Sequence, residues 1–196
     1  MVPKNGCVYF PVKGDLANKT NGWSGSVSLW CNTDPDRLIK SNFCDRVQIT
    51  QKGCDNGALW FDFNDAKPRD LGFGVFTALP AGQKAVTEAD PKAPLVRLPG
   101  VGWKAGEWRH VVLTFKNFDT GKPDAVTALC IDGKRIGEVK DQVIAMGWDV
   151  EKAGVCLSLG CVGLLDEFAL FDRALTAEDV ELWHKKPDLP APLKQK

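Results

Sequence analysis

Two stretches decide how this chain folds: Trp108-Arg109-His110-Val111-Val112-Leu113-Thr114-Phe115, and, a little further on, Thr127-Ala128-Leu129-Cys130-Ile131-Asp132-Gly133-Lys134-Arg135. In the first, Val111, Leu113 and Phe115 fall on one side and His110, Val112 and Thr114 on the other. That period of two belongs to a strand with one face on a core. In the second, Thr127, Leu129 and Ile131 share a side. The Asp132-Gly133 dipeptide that follows suits a tight hairpin, because two left-handed residues match the twist of the flanking strands. Residues 135–139 should therefore return antiparallel.

The same reading extends outward in both directions. Residues 26–32 place Val27, Leu29 and Cys31 opposite Ser26, Ser28, Trp30 and Asn32, and residues 58–63 place Leu59, Phe61 and Phe63 opposite Ala58, Trp60 and Asp62. Residues 155–159 and 164–171 read as two more strands, separated by Gly160 and Gly163. One helix is credible: Thr176 can cap it, Asp179 stands three residues on, and Val180, Leu182 and Trp183 follow at helical spacing. It should be short and lie on the edge of the sandwich. Residues 80–102, with four prolines and three glycines, read as a long loop. The class is all-β: a two-sheet antiparallel sandwich with one short C-terminal helix.

Composition bounds the function. The 196 residues, 44% of them hydrophobic, suffice for one core, so residues 1–184 are expected to form one domain. Residues 185–196, with Pro187, Pro190 and Pro192 among lysines, have the make-up of a tail or linker. Lys+Arg and Asp+Glu both number 25, leaving no net field to gather phosphates and excluding nucleic acid as an expected partner. No apolar run approaches the roughly 18 residues of a membrane span, and the first residues lack the basic and apolar blocks of a signal peptide.

The seven cysteines (Cys7, Cys31, Cys44, Cys54, Cys130, Cys156 and Cys161) have no zinc-site spacing. An odd count leaves at least one thiol unpaired within the chain. Several of them read as small buried hydrophobes, and a Cys44–Cys54 hairpin disulfide stays open.

Catalytic patterns are wanting. A retaining glycosidase needs two carboxylates about 5 Å apart, which along one strand means acids alternating on a face. Glu88 and Asp90 have that spacing but stand in the proline-rich loop, and the neighbours Asp166 and Glu167 should point to opposite faces. With only His110 and His184 available, no Ser or Cys triad is visible. Gly72 and Gly74 lie in a strand-like stretch and open no helix.

Ligand binding is the stronger reading. Trp30, Trp60 and His110 fall on the polar-patterned faces of their strands, where an aromatic side chain can serve as a platform for the apolar face of a sugar ring. The alternative is that Trp30 and Trp60 pack beneath the long loop. Trp108 and Trp183 read as core or edge-packing residues, and Trp23, Trp103 and Trp148 as candidates for a rim.

Four segments in order carry a resemblance: Gly25-Ser26-Val27-Ser28-Leu29-Trp30; residues 106–115; Leu129-Cys130-Ile131-Asp132-Gly133-Lys134; and residues 163–176, with Leu164-Leu165-Asp166-Glu167-Phe168 at their centre. The chain resembles the concanavalin A-like lectin/glucanase superfamily, specifically the bacterial laminin G-like (LamG-type, pentraxin-related) domains. The resemblance implies a jelly roll of two curved sheets, and a structural Ca²⁺ with Asp166 among its ligands; Asp166 could instead cap a turn or pair with Arg173. It also implies an extracytoplasmic or cell-surface setting. The resulting expectation is a non-catalytic module of a larger or surface-associated protein, binding a glycan or another protein. A purely structural spacer is the first alternative, and a glucanase-type hydrolase the second.

Overall fold

The structure is a computed structural model that describes residues 7–12, 16, 19, 21–40, 44–51, 57–79, 82, 90 and 92–186. Its strands are β1 (Val8–Pro11), β2 (Trp23–Asn32), β3 (Cys44–Gln51), β4 (Ala58–Phe63), β5 (Leu71–Phe76), β6 (Leu95–Leu98), β7 (Trp108–Phe118), β8 (Ala125–Ile131), β9 (Lys134–Gln142), β10 (Ala153–Leu159) and β11 (Leu164–Phe171). A four-residue turn of helix, α1 (Pro35–Leu38), follows β2, and α2 (Ala177–Lys185) follows β11.

The strands form two antiparallel sheets, a six-stranded one in the order β1-β10-β3-β4-β5-β6 and a five-stranded one in the order β11-β2-β7-β8-β9. The expected hairpin is present: Ile131 pairs with Lys134 across Asp132 and Gly133, both of which have positive φ. The period of two sets which side chains meet between the sheets. Val27, Leu29, Val111, Leu113 and Leu129 of the five-stranded sheet are buried in one cluster with Val47, Ile49, Phe61, Phe63 and Phe73 of the other. Burying a single side chain of this size contributes about 1.5–3 kcal/mol, and the cluster holds the sheets face to face as a jelly-roll sandwich.

The long loop and the loop-placed tryptophans differ from the sequence pattern. Leu95–Leu98, inside the expected long loop, pairs with β5 as an edge strand; the other residues expected to form that loop lie partly outside the described ones. Trp23, Trp103 and Trp148 belong to the core instead of a rim, at 2%, 5% and 9% exposure. Trp108, read as a core or edge-packing residue, is 40% exposed and so lies outside the core.

The C-terminal helix starts where its cap predicts. The Thr176 hydroxyl accepts from the Asp179 N–H, and the Asp179 carboxylate accepts from the Thr176 N–H. The helix lies on the outside of the sandwich, over the outer face of the five-stranded sheet. Leu175 and Val180 close a second cluster over Val112 and Cys130, and Trp183 meets Phe171 edge to face at 5.4 Å.

Two disulfides clamp the six-stranded sheet. Cys7–Cys156 fastens the edge strand β1 to β10, and Cys44–Cys161 joins the start of β3 to the connection after β10. The pairing left open above, Cys44 with Cys54, is thereby replaced; Cys54 lies outside the described residues. Cys31 and Cys130 are buried free thiols.

Candidate ligand-binding face

The three aromatic residues expected to form a platform sit on two different sheets. Trp30 and His110 are direct partners on β2 and β7, with ring centroids 5.0 Å apart and planes 25° from parallel. Both face away from the core, but α2 lays His184 over them, 5.4 Å from Trp30 and 5.5 Å from His110. His110 Nε2 stands 2.9 Å from the Ser28 hydroxyl, and the His110 backbone N–H donates to Asp132. Burial and the neighbouring His184 push the His110 imidazole down to about 4, against the opposing pull of Asp132. The stack is a joint between helix and sheet.

Trp60 belongs to β4, on the outer face of the six-stranded sheet. Two stacked sheets, about 10 Å apart, separate it from Trp30, so one sugar ring cannot touch both. Its indole lies across β5, where Gly72 and Gly74 have no side chains; a Cβ on Gly74 would run into the ring. Phe76 packs beside it with centroids 5.5 Å apart. The Trp60 Nε1 donor is buried and has no acceptor among the described residues.

Around this ring the strand register assembles a polar row that the strands' own sequences did not reveal. Asp45 of β3 is the partner of Asp62 of β4, Asp62 of Gly72 on β5, and Gly72 of Arg97 on β6. One step along the same face, Gln48 is the partner of Trp60, and Trp60 of Gly74. Asp45 and Asp62 are 8% and 2% exposed. The Asp62 carboxylate leans over Gly72, with an oxygen 2.6 Å from where a Cβ would stand. Two carboxylates, a guanidinium, an amide and an indole thus converge on one largely water-excluded patch, as in sites that orient a polar ligand against an apolar floor.

Asp166 sits on the other sheet, as the partner of Trp30. It is exposed, and its carboxylate accepts the backbone N–H of Glu167 at an irregularity in β11. Arg173, the partner considered for it, pairs with Asp179 at 2.5 Å. No group of three or more His, Cys, Asp or Glu side chains among the described residues could hold a metal ion. A calcium ion wants six to eight oxygens, some of which backbone carbonyls can supply; Asp166 brings one carboxylate, and part of the N-terminal segment expected to supply others lies outside the described residues.

A family model described as the concanavalin A-like lectin/glucanases superfamily, Laminin_G_3, matches residues 5–181. The chain belongs to this laminin G-like family. No curated protein matches it. Among solved structures, the CBM40 of the Ruminococcus gnavus IT-sialidase bound to alpha2,3 sialyllactose is 13% identical with a TM-score of 0.55, covering 91% of each chain. A botulinum neurotoxin type C structure, from work on cell entry dependent on two ganglioside molecules, is 12% identical with a TM-score of 0.54; it covers 85% of this chain and 37% of its own. A leech intramolecular trans-sialidase is 10% identical with a TM-score of 0.53, covering 91% of this laminin G-like chain and 26% of its own. At these identities the likeness is one of fold. The laminin G-like chain thus spans well under half of the two longer proteins. No helix among its described residues is long and apolar enough to cross a membrane.

Proposed function

We propose that this laminin G-like domain is a non-catalytic binding module that takes a glycan on the outer face of its six-stranded sheet. The observation that carries the reading is the row Asp45, Asp62, Gly72 and Arg97 running beside Trp60. The Trp60 indole, 4% exposed, is the floor beneath the row and not an open platform, and the charged and amide groups beside it can bind the hydroxyls of a sugar. That carbohydrate-binding modules share the fold agrees with this reading. Trp30 and His110 serve in it as the seat of α2. The two disulfides suit an extracytoplasmic or cell-surface setting.

A glycan array with the wild type, Trp60→Ala and Trp30→Ala tests it. Wild type and Trp30→Ala should retain the same glycans, and Trp60→Ala should lose about tenfold in affinity, because the floor that holds the polar row in place is removed. A wild type that retains no glycan removes the reading and leaves the spacer.

One observation favours a second reading. Asp45 and Asp62 are opposed on adjacent antiparallel strands, where side chains on one face stand about 5 Å apart, close to the separation in retaining glycosidases. Release of reducing sugar from a polysaccharide, abolished by Asp62→Asn, would establish a hydrolase. The mixed composition of the row, two carboxylates with a guanidinium and an amide, favours binding, because it presents both donors and acceptors to a polar ligand.

A further inference from the structure

Tyr9 is the single tyrosine of the sequence. Its strand register places it on the outer face of the six-stranded sheet: Tyr9 of β1 is the partner of Cys156 on β10, Cys156 of Gln48 on β3, and Gln48 of Trp60 on β4. The phenol runs across Gly154, where a Cβ would stand 2.1 Å from Cε2 and 2.3 Å from Cζ and from the hydroxyl oxygen. Gly74 gives Trp60 the same kind of seat. The two rings differ in access, because Trp60 is 4% exposed and Tyr9 is 53% exposed.

A lone exposed aromatic side chain says little. This one is held in place. The Cys7–Cys156 disulfide fastens the start of β1 to β10, and at the other end the Val12 N–H donates to the Ala153 carbonyl at 3.2 Å while the Val12 side chain is buried. With its strand fixed at both ends, the ring has little freedom left to lose when a ligand covers it.

Its position sets the size of that ligand. Gly154, beneath the phenol, is the partner of Thr50. Thr50 is the partner of Ala58 and Asp45 of Asp62, so the carboxylate of Asp45 lies four strand steps further along. Four steps and one strand spacing separate it from the phenol by roughly 14 Å. Gln48 and Thr50, both half-buried, line β3 between them. A single sugar ring cannot bridge that span.

We propose that the domain takes an oligosaccharide lying along β3, with one sugar at the Asp45 end of the polar row and a later one stacked by its apolar face on Tyr9. The proposal rests on the glycan reading of the row and adds a second subsite to it.

Fragments of one, two, four and six sugars, cut from whichever polysaccharide the array retains, test it by calorimetric titration. Affinity should climb about tenfold between the disaccharide and the tetrasaccharide and then level off. Tyr9→Ala should erase that step, and Tyr9→Phe, which keeps the ring, should preserve it. Labelling the tyrosine ring gives one set of signals, which should move with the tetrasaccharide and stay still with the monosaccharide. Equal affinity for short and long fragments, or a still ring with the tetrasaccharide bound, overturns the second subsite and leaves binding at the row standing. A domain that retains no glycan overturns both. If Tyr9→Ala does not fold, the ring signals of the wild type decide alone.

Discussion

The imidazole of His184, on the C-terminal helix, stacks on that of His110, in the sheet beneath, with centroids 5.5 Å apart and planes within 20°. Two imidazoles so placed cannot both carry a proton without repulsion, and His110 is the buried one. Its proton affinity is pushed down from the ordinary 6.5 to about 4. Between these values the unfolded chain binds a proton that the folded chain refuses. Stability therefore rises with pH across this window and is lost as acid is added. The full loss is about 3 kcal/mol at roughly 1.4 kcal/mol per unit. Thermal melts between pH 4 and pH 7 should show this slope, and His110→Gln should flatten it; a melting temperature independent of pH would refute the assignment.

Gly74→Ala should displace the Trp60 ring, because the added methyl would enter the space that the indole occupies. The expected cost is about 1–3 kcal/mol, the usual penalty for overpacking. Chemical denaturation checks the magnitude, and a change in tryptophan fluorescence checks the cause. A neutral substitution would mean that the indole does not rest on the glycine floor.

Under denaturing, non-reducing conditions the protein should titrate three thiols. Cys7, Cys156, Cys44 and Cys161 are paired and Cys31 and Cys130 are free, so the seventh cysteine of the sequence, Cys54, should supply the third thiol. Each bridge closes a loop of more than a hundred residues, and losing a native bridge costs about 2–5 kcal/mol. Reduction should lower the melting temperature accordingly. Seven thiols in the untreated protein would contradict the pairing.

Chelation should leave the melting temperature unchanged, since the described groups around Asp166 do not make a calcium cage. A rise on adding calcium that disappears in Asp166→Asn would place an ion there after all, because a ligand that binds only the folded state must stabilise it.

Most strands were legible because alternation is a local property. Val111, Leu113 and Phe115 announce their strand without reference to any neighbour, and the Thr176–Asp179 box marks the start of α2 in the same way. Short edge strands carry too few residues to show a period, which is why Val8–Pro11 and Leu95–Leu98 were missed. The polar row was illegible for a different reason. Asp45, Asp62 and Arg97 stand far apart in sequence and share a line only through the register of four strands. A search for acids alternating along one strand passes over acids facing each other across two. Trp30 and Trp60 illustrate the same limit: each strand shows which way its own indole points, but not that they point out of opposite sheets.

The most direct test of the account follows the indole N–H resonance of Trp60 while the domain is titrated with its best glycan from the array. A ligand seated on the six-stranded sheet must move that resonance more than those of the other tryptophans, and the movement should be absent in Asp62→Asn. Shifts confined to Trp30 or Trp108, with Trp60 still, would place the ligand on the opposite face and contradict the account.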